Sequence, residues 1–516
     1  MMRRARKKQD QLQEIRMNEN SEPDDISFDE IEQGLVYSRV FLDKNDGAIK
    51  YHLIEPYVDD QLIEIINDIK TMIIEKASFD RLATEHREKD FEIVYKSVMD
   101  SYGLEFTPSE ATIVKYYVKR DVVNFGRIQG LMLDQSIEDI SCDAPKIPVF
   151  AFHRVHGFIP TNITFNDEEE LNRYVKRIVQ DSGKHVSISV PIIDATLPDG
   201  SRLQASYGRY ITNNGPAFTV RKFKASPLSP VSLIMAQSIS AKIMSYLWLL
   251  TEYGANMMVA GGTGSGKTTL LNAILLFIPP QMKVVSIEDT REINIPHENW
   301  IATVTRSGFG ALNKTTGKRG GEIDMFDLLA ASLRQRPNYI IIGEVRGKEA
   351  FTVFQAMSAG RYGFGTFHAE DPKTLIHRLE SPPINIPRTL ITALDVIVMQ
   401  SQLSYKNKIV RRATSISEIT GLEQSTNDII VNNIFKWNPA NDTFTFSGFS
   451  YVLNRIAERI GKTESDLERE VEFRERILNR MIERKFYTYK DVTKMITKFY
   501  KDRESLIKEL ELNPET

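Results

Sequence analysis

The sequence predicts an α/β fold with a mainly parallel sheet in the second half of the chain, and a smaller α+β domain in the first half. Two observations support this prediction. A glycine-rich loop at residues 261–269 lies between an apolar run and a helical run, the strand–loop–helix order of a phosphate-binding loop. After this loop, short apolar runs alternate with helical stretches as far as residue 400, as in parallel strands joined by helices.

Length and composition limit the class of protein. A chain of 516 residues is too long for one ordinary core, so we expect two or more domains. The net charge of −3 argues against a dominant attraction to nucleic acid, and no specific nucleic-acid partner is expected. The single cysteine, Cys142, excludes an intrachain disulfide and a cysteine-rich zinc site. No apolar stretch reaches the ~18 residues of a membrane span, so we expect a cytoplasmic protein.

Residues 1–33 are expected to form a charged, disordered arm. Five of the first eight residues are basic, and seven acidic residues follow between positions 19 and 32 with no basic residue among them. Such blocks repel internally and often remain unfolded. The arm is either an interaction segment, which would contact a charged partner or acidic lipid headgroups, or a solvated tail.

The rest of the chain is predicted to form two domains. Residues 34–224 combine helical patterns, including a capping box at Thr107–Glu110 with Pro108 at the first helical position, with strand-like runs from residue 137 onward. Residues 225–235 contain two prolines and are predicted to be a flexible linker. Residues 236–516 contain the glycine-rich loop, five further strand candidates and a charged helical extension from about residue 450.

The glycine-rich loop is predicted to bind a polyphosphate. Glycines allow successive backbone N–H groups to point at phosphate oxygens, and the helix that follows presents its positive end to the anion. Lys267 is expected to reach the β- and γ-phosphates, and the Thr268 hydroxyl is a natural Mg²⁺ ligand. The residues predicted to bind the nucleotide are Gly262, Thr263, Gly264, Ser265, Gly266, Lys267, Thr268 and Thr269.

Three polar residues at the ends of later strands are candidates for the chemistry. Strand carboxyl ends face the ligand crevice of an open α/β sheet. Glu288 is a candidate for orienting or deprotonating a water molecule, and Glu344 for holding Mg²⁺ in place of the aspartate usually found at position 343. His368 is a candidate sensor of the γ-phosphate. The alternative for each is structural: a turn residue, a chance acid after a buried strand, or a packed histidine.

Four motifs in order resemble those of the type II/type IV pilus and secretion ATPase superfamily. They are Gly-Gly-Thr-Gly-Ser-Gly-Lys-Thr-Thr from residue 261, Ser-Ile-Glu-Asp-Thr from 286, Ile-Ile-Ile-Gly-Glu-Val-Arg-Gly from 340 and Gly-Thr-Phe-His-Ala from 365. The similarity covers about residues 130–420. The charged N-terminal arm, the length and the absence of metal-binding cysteines look closest to the archaellum motor ATPase.

This resemblance implies a C-terminal RecA-like ATPase domain and a homohexameric ring. It implies ATP as substrate, Mg²⁺ as cofactor, and nucleotide between the two domains with arginines completing the site. The matching arginines are Arg202, Arg209 and Arg221, although a surface or salt-bridge role is the alternative for each. It further implies a peripheral location at the inner face of the cell membrane, with a polytopic membrane platform protein and other archaellum motor components as partners.

Other functions are weighed against this one. Asn313-Lys314-Thr315-Thr316 lacks the acid of a guanine-reading motif, which disfavours a GTPase, and no Leu-Ser-Gly-Gly-Gln signature of ABC-type ATPases is present. An adhesive-pilus or secretion ATPase shares every motif and remains open. A RecA-like nucleic-acid translocase is the alternative from another class, and a non-hydrolysing nucleotide-binding scaffold is disfavoured by the three polar strand ends.

Overall fold

The computed structural model describes residues 24–76, 87–103, 106–223, 227–306, 308, 318–406 and 408–512. The chain divides into two compact units, Met1–Phe223 and Lys224–Thr516. The elements of the first unit are β1 (Asp24–Glu32), β2 (Val36–Leu42), β3 (Ile49–Ile54), α1 (Asp60–Lys76), α2 (Arg87–Tyr102), α3 (Pro108–Val122), a 3₁₀ turn (Gly126–Ile128), α4 (Gln129–Leu133), β4 (Ile137–Cys142), β5 (Phe150–His153), β6 (Gly157–Pro160), α5 (Glu168–Asp181), β7 (Ile192–Thr196), β8 (Arg202–Ser206) and β9 (Ala217–Arg221).

The first unit is built on two antiparallel sheets. One has the order β1-β2-β3, and the other has the order β6-β5-β4-β9-β8-β7. Helix α5 packs its apolar face on the six-stranded sheet through Leu171, Val175 and Ile178, as its helical spacing predicts. The α+β character expected for this half of the chain is therefore present.

Helices α1, α2 and α3 form a separate apolar cluster in the first unit. The capping box predicted before α3 is confirmed: Thr107 Oγ1 accepts a hydrogen bond from the Glu110 N–H at 3.3 Å, and Glu110 Oε2 accepts one from the Thr107 N–H at 2.9 Å. Pro108 occupies the first helical turn, where no backbone N–H is needed.

The predicted disordered arm is wrong for residues 24–32, because these residues form strand β1 and pair with β2. Arg39 of β2 pairs with Asp25 at 2.5 Å, and the Phe28 and Tyr37 rings stack at 5.6 Å. Pairing with β2 thus gives the acidic strand a positive partner and an aromatic contact, and neither is visible in the number of its acidic residues. Residues 1–23 of the predicted arm lie outside the described residues.

The second unit alternates helices and strands before a helical end. Its elements are α6 (Pro230–Met235), α7 (Ala241–Glu252), β10 (Met257–Ala260), α8 (Lys267–Leu275), β11 (Val284–Glu288), β12 (Trp300–Val304), α9 (Met325–Arg334), β13 (Tyr339–Val345), α10 (Glu349–Ser358), β14 (Tyr362–Phe367), α11 (Pro372–Glu380), α12 (Arg388–Ile391), β15 (Val396–Tyr405), β16 (Lys408–Leu422), β17 (Ile429–Asn438), β18 (Thr443–Phe446), α13 (Tyr451–Ile460), α14 (Glu464–Glu483), α15 (Tyr489–Lys501) and α16 (Arg503–Leu510).

A nine-stranded sheet forms the centre of the second unit, in the order β12-β11-β13-β14-β10-β15-β16-β17-β18. The first six strands in this order are parallel, and β16, β17 and β18 extend the sheet with antiparallel pairs. One apolar core on the sheet includes α7, α8 and the C-terminal helices, and a second includes α9, α10 and α11. The five predicted strands after the loop are confirmed, whereas β16–β18 were not predicted.

The predicted linker at residues 225–235 contains helix α6. Ser229 caps this helix by accepting a hydrogen bond from the Ser232 N–H at 3.0 Å, and Pro230 occupies its first turn. Serine and proline are common both in linkers and in the first turn of a helix. The two prolines therefore predicted a linker, although Ser229 and Pro230 begin a helix. Residues 224–226 lie outside the described part of the chain.

The C-terminal helices α13–α16 confirm the predicted helical extension and share the core of α7 and α8. Arg474 of α14 is buried between the Trp248 and Phe499 rings, at 5.6 and 5.2 Å from their centroids, and pairs with Glu252 at 2.6 Å. A cation buried in this way needs both its counter-charge and its aromatic neighbours. Within the described ranges, every helix is too short or too polar to cross a membrane.

Because Leu478 of α14 is fully buried in this core, replacing it should leave a cavity. We expect Leu478→Ala to lower the free energy of unfolding by about 2–5 kcal/mol. The control is Leu228→Ala, because the Leu228 side chain is 43% exposed. Urea unfolding followed by circular dichroism measures both variants, and an equal effect in the two would contradict the packing described for α14.

Candidate functional site

The glycine-rich loop follows β10 and ends at the first turn of α8. Gly264 and Gly266 have φ angles of 71° and 91°, which L-side chains rarely adopt, so the loop depends on glycine at these positions. Gly266 is the N-cap of α8 and provides no side-chain hydrogen bond to the helix. The first N–H groups of α8 are therefore not capped by a side chain, as in a helix that accepts an anion at its N-terminus.

Polar contacts fix the inside of the loop. Lys267 Nζ donates to the Gly262 carbonyl oxygen at 2.8 Å, and Ser265 Oγ donates to the same oxygen at 2.9 Å. A Cβ atom at Gly261 would lie 2.0 Å from the carbonyl oxygen of Gln400 in β15, so the backbone approaches too closely for any side chain there. Arg411 of β16 donates to the Gly264 carbonyl oxygen at 2.9 Å. The unpredicted strand β16 thus helps to hold the loop.

The parallel sheet brings the predicted strand-end residues to one edge. Glu288 is the last residue of β11, Glu344 lies near the end of β13, and His368 directly follows β14. These strands are adjacent to one another and to β10, which leads into the loop. The register pairs Ile287 with Ile342, Ile342 with Gly365, and Thr366 with Val259. The strand ends are therefore level, as the sequence predicts for a ligand crevice.

Glu288 is almost completely buried. Its Oε1 accepts hydrogen bonds from the backbone N–H groups of Glu292 and Ile293, both at 2.8 Å. Its Oε2 is buried and has no hydrogen-bond partner among the described residues. Burial raises the pKa of Glu288 to about 7, and the two N–H bonds oppose this rise only in part. The carboxyl group therefore has one fixed and one unpartnered oxygen.

Glu344 and Lys267 are polar neighbours at the same edge. Glu344 is partly buried, and Arg346 donates a hydrogen bond to its Oε2. The Arg346 guanidinium also lies 3.9 Å from a carboxylate oxygen of Asp289. Burial lowers the pKa of Lys267, and the negative charges of Glu344 and Glu292 oppose this effect. The edge therefore combines cations and carboxylates next to the loop.

His368 has an exposed side chain. Its carbonyl oxygen accepts a hydrogen bond from Arg378 of α11, and this contact fixes the backbone where β14 ends. Thr366, two residues earlier, donates to the Gly343 carbonyl oxygen at 2.6 Å and ties β14 to β13. The backbone that carries His368 is thus well anchored, while its imidazole faces solvent.

The three predicted arginines belong to the first unit. Arg202 and Arg221 are register neighbours on β8 and β9, and Arg209 lies in the turn after β8. Arg209 pairs with Glu168 at 2.6 Å and Arg221 pairs with Asp139 at 3.0 Å. The side chains of Arg209 and Arg221 remain 68% and 63% exposed. Each of these two is therefore an exposed arginine with a carboxylate partner in its own unit.

Several residues at the site were not predicted. Two of them, Gln400 and Arg411, contact the glycine-rich loop. The other two, Asn272 of α8 and Glu292 after β11, are hydrogen-bonded to each other. Only Asn272 carries a signal in the sequence, because it interrupts the apolar run from Leu270 to Leu276. A buried amide in such a run needs hydrogen-bond partners, and this marks it as a contact residue.

The oxygen donors near the loop fit a hard cation such as Mg²⁺. They are the Thr268 hydroxyl and the Glu344 carboxylate, and Mg²⁺ prefers oxygen ligands and takes several from phosphate and water. Among the described residues, no group of three or more His, Cys, Asp or Glu side chains could hold a metal ion. The second unit is therefore a RecA-like α/β domain with a glycine-rich loop between β10 and α8.

Comparison with known proteins identifies the family. The family profile described as type II/IV secretion system protein matches residues 127–434. The uncharacterized protein MJ0900 of Methanocaldococcus jannaschii is 40% identical over 401 residues, covering 77% of this chain and 71% of the relative. The conjugal transfer protein TrbB of Rhizobium radiobacter is 33% identical over 241 residues, covering 44% and 68%. The chain therefore belongs to the type II/IV secretion system protein family.

The chain is also similar to proteins of known structure. The ATPase DotB of Yersinia pseudotuberculosis is 16% identical, with a TM-score of 0.41, covering 70% of this chain and 89% of that one. The resemblance to the secretion ATPase superfamily predicted from the motifs is thus confirmed by the family match.

The buried Glu288 should make stability depend on pH. A carboxyl group whose pKa rises from 4.5 to about 7 on folding holds its proton more tightly when folded. As the pH rises from the pKa of the unfolded state to that of the folded state, the free energy of unfolding should therefore fall, by about 3 kcal/mol in total. We expect Glu288→Gln to remove this fall, so that the variant gains about 2–3 kcal/mol over the wild type between about pH 5 and about pH 8.

The control for this prediction is Asp289→Asn, at the next position, where the side chain is 48% exposed. Urea unfolding at the two pH values measures all three proteins. A pH-dependent gain in the control equal to that in Glu288→Gln would contradict the assignment to Glu288.

Proposed function

We propose that the chain is an ATPase motor that binds Mg-ATP at residues 261–269 and hydrolyses it at the adjacent sheet edge. The observation that carries this proposal is the glycine loop with an uncapped helix N-terminus, beside a buried carboxylate that has one unpartnered oxygen. Backbone N–H groups and Lys267 bind the phosphates, and phosphoryl transfer needs little more than positioning and charge stabilisation. Membership of the secretion family supports the same activity.

Each polar residue has a role in this proposal. Glu288 orients or deprotonates the attacking water through Oε2, and a pKa of about 7 makes the carboxyl a usable base near neutral pH. Glu344 and Thr268 hold Mg²⁺, which neutralises charge on the phosphates. His368, exposed at the end of β14, contacts the γ-phosphate and registers its loss.

Hydrolysis should be lost when either charge that supports the phosphates is removed. We expect Lys267→Ala and Glu344→Gln each to lower the rate of phosphate release by about 10²-fold or more. Lys436→Ala is the control, because Lys436 is an exposed lysine on β17. Phosphate release from purified proteins with Mg-ATP measures all three variants. Wild-type rates in the first two would refute the assignment.

We also propose that the active form is a homohexamer in which arginines of the first unit complete a phosphate site. Arg209 and Arg221 are exposed, and each pairs with a carboxylate that a phosphate can replace. A phosphate carries more negative charge than a carboxylate, so the exchange is favourable for an exposed guanidinium. The proposal includes Arg202, the register neighbour of Arg221.

Mixing experiments distinguish an arginine that serves a neighbouring subunit from one that is only structural. We expect Arg221→Ala and Arg209→Ala to be inactive alone, and to regain roughly a tenth or more of wild-type hydrolysis when mixed with Lys267→Ala. The control Arg173→Ala removes an arginine that is 65% exposed and pairs with Glu169. Full activity of the arginine variants alone would contradict the proposal. It would also be contradicted if the wild type hydrolysed ATP at the full rate under conditions in which size measurements show only a monomer.

The machine that this motor drives is proposed to be the archaellum, through a polytopic membrane platform protein at the inner face of the cell membrane. The charged N-terminal segment supports a peripheral contact with acidic lipids or a charged partner. An adhesive pilus or a secretion system is the alternative, and archaellin genes beside this gene would favour the archaellum. A nucleic-acid translocase would instead show DNA-stimulated hydrolysis, which the net charge of −3 does not favour.

A further inference from the structure

The backbone at residues 292–294, which we call the carboxylate loop, is held by side chains from three parts of the second unit. Glu288, at the end of β11, accepts two N–H bonds from this loop through Oε1, from Glu292 and Ile293. These two bonds decide which carboxylate oxygen is fixed and which is left without a partner. Any group that fixes the carboxylate loop therefore also fixes the orientation of the Glu288 carboxyl.

Asn272 fixes the carboxylate loop from the helix that follows the glycine-rich loop. Its Nδ2 donates to the Glu292 carbonyl oxygen at 3.0 Å, and its Oδ1 accepts from the Asn294 N–H at 2.9 Å. The Asn272 side chain is buried and lies on α8, which begins at Lys267. One amide thus connects the rigid helix that carries Lys267 to both ends of the carboxylate loop.

Tyr489 fixes the same loop from the C-terminal helices. Its hydroxyl donates to the Asn294 carbonyl oxygen at 2.6 Å, and its ring packs against the core of the second unit. Tyr489 is the first residue of α15 and is preceded by the helix cap Thr488, so its backbone position is well defined. The neighbouring carbonyl of Tyr487 accepts hydrogen bonds from Ser229 and Ser232 at the start of α6.

We propose that Asn272 and Tyr489 are positioning residues that hold the carboxylate loop so that Glu288 Oε2 faces the attacking water. This proposal rests on the proposed ATPase activity. Both residues act through Glu288 and need not contact nucleotide. Without them, the Glu292 and Ile293 N–H groups are free to leave Oε1, and the carboxyl can rotate between two equivalent orientations. Turnover then falls, while the glycine-rich loop that binds nucleotide is unchanged.

Tyr489→Phe tests the proposal with little disturbance of packing, because it removes only the hydroxyl. The control is Tyr500→Phe on the same helix, where the hydroxyl donates to the Phe277 carbonyl oxygen at 2.7 Å and accepts from the Trp248 indole N–H at 3.0 Å, away from the carboxylate loop. We expect Tyr489→Phe to lower kcat about five- to tenfold with KM for ATP unchanged, and Tyr500→Phe to keep kcat within about twofold. Equal effects in the two variants, or a loss confined to KM, would overturn the proposal.

Asn272→Leu, which keeps the number and branching of the side-chain heavy atoms, removes both polar contacts and should lower kcat further. The decisive comparison repeats Tyr489→Phe in a Glu288→Gln background. If Tyr489 acts through Glu288, Tyr489→Phe should not lower kcat further in that background. A further five- to tenfold fall in kcat would refute the mechanism.

Hydrogen exchange separates this proposal from the proposed function. In the wild type the backbone amides of Glu292 and Ile293 should be protected, and in Tyr489→Phe and Asn272→Leu they should exchange about tenfold faster or more. Tyr500→Phe should leave their exchange unchanged. Altered exchange in a protein without ATPase activity would refute the proposed function and support the role of these residues in holding the loop. Unaltered exchange in both variants would refute the positioning proposal itself.

Discussion

The space beside Gly343 determines how the sheet edge is arranged. A Cβ atom at position 343 would lie 3.0 Å from Cγ and 3.3 Å from Cβ of Glu288, so a side chain there would crowd the buried Glu288 side chain. The nearest acid on β13 is Glu344, one residue further along the strand. The pairing of β13 with β14 is irregular between Ile342 and Val345, and within this irregular stretch the Glu344 carboxylate pairs with Arg346. The two carboxylates can then lie at one edge in different surroundings.

That difference in surroundings separates the two acids chemically. Glu288 is buried with a raised pKa and two backbone donors, whereas Glu344 is partly exposed and pairs with a guanidinium. Two acids whose environments differ in this way suit different tasks, one exchanging a proton and the other pairing with cations. Glycine at 343 is the small sequence feature on which this division depends, and it also accounts for the departure from the usual motif.

Sequence alone predicted the parts of the site that depend on local pattern. The loop, the strands that end at Glu288 and Glu344, and the capping box before α3 follow from glycine content, apolar runs and short-range spacing. Strand β1 and the helix in the linker were missed. The partner of the acidic strand, which includes Arg39, is not visible in its local composition, and Ser-Pro begins helices as well as ending them. The contact of Tyr489 with Asn294 joins residues 195 positions apart and has no local signal.

The two cations beside the loop, Lys267 and Arg346, each have an acceptor within the protein. Lys267 Nζ donates to a backbone carbonyl of the loop itself, and Arg346 pairs with Glu344. In the proposed nucleotide complex, phosphate oxygens would replace these acceptors and would give each cation a charge-assisted bond, so that neither cation is desolvated without a partner. Glu288 differs, because its Oε2 has no hydrogen-bond partner among the described residues. The same edge therefore contains two cations that have acceptors within the protein and a carboxylate oxygen that has no hydrogen-bond partner among the described residues.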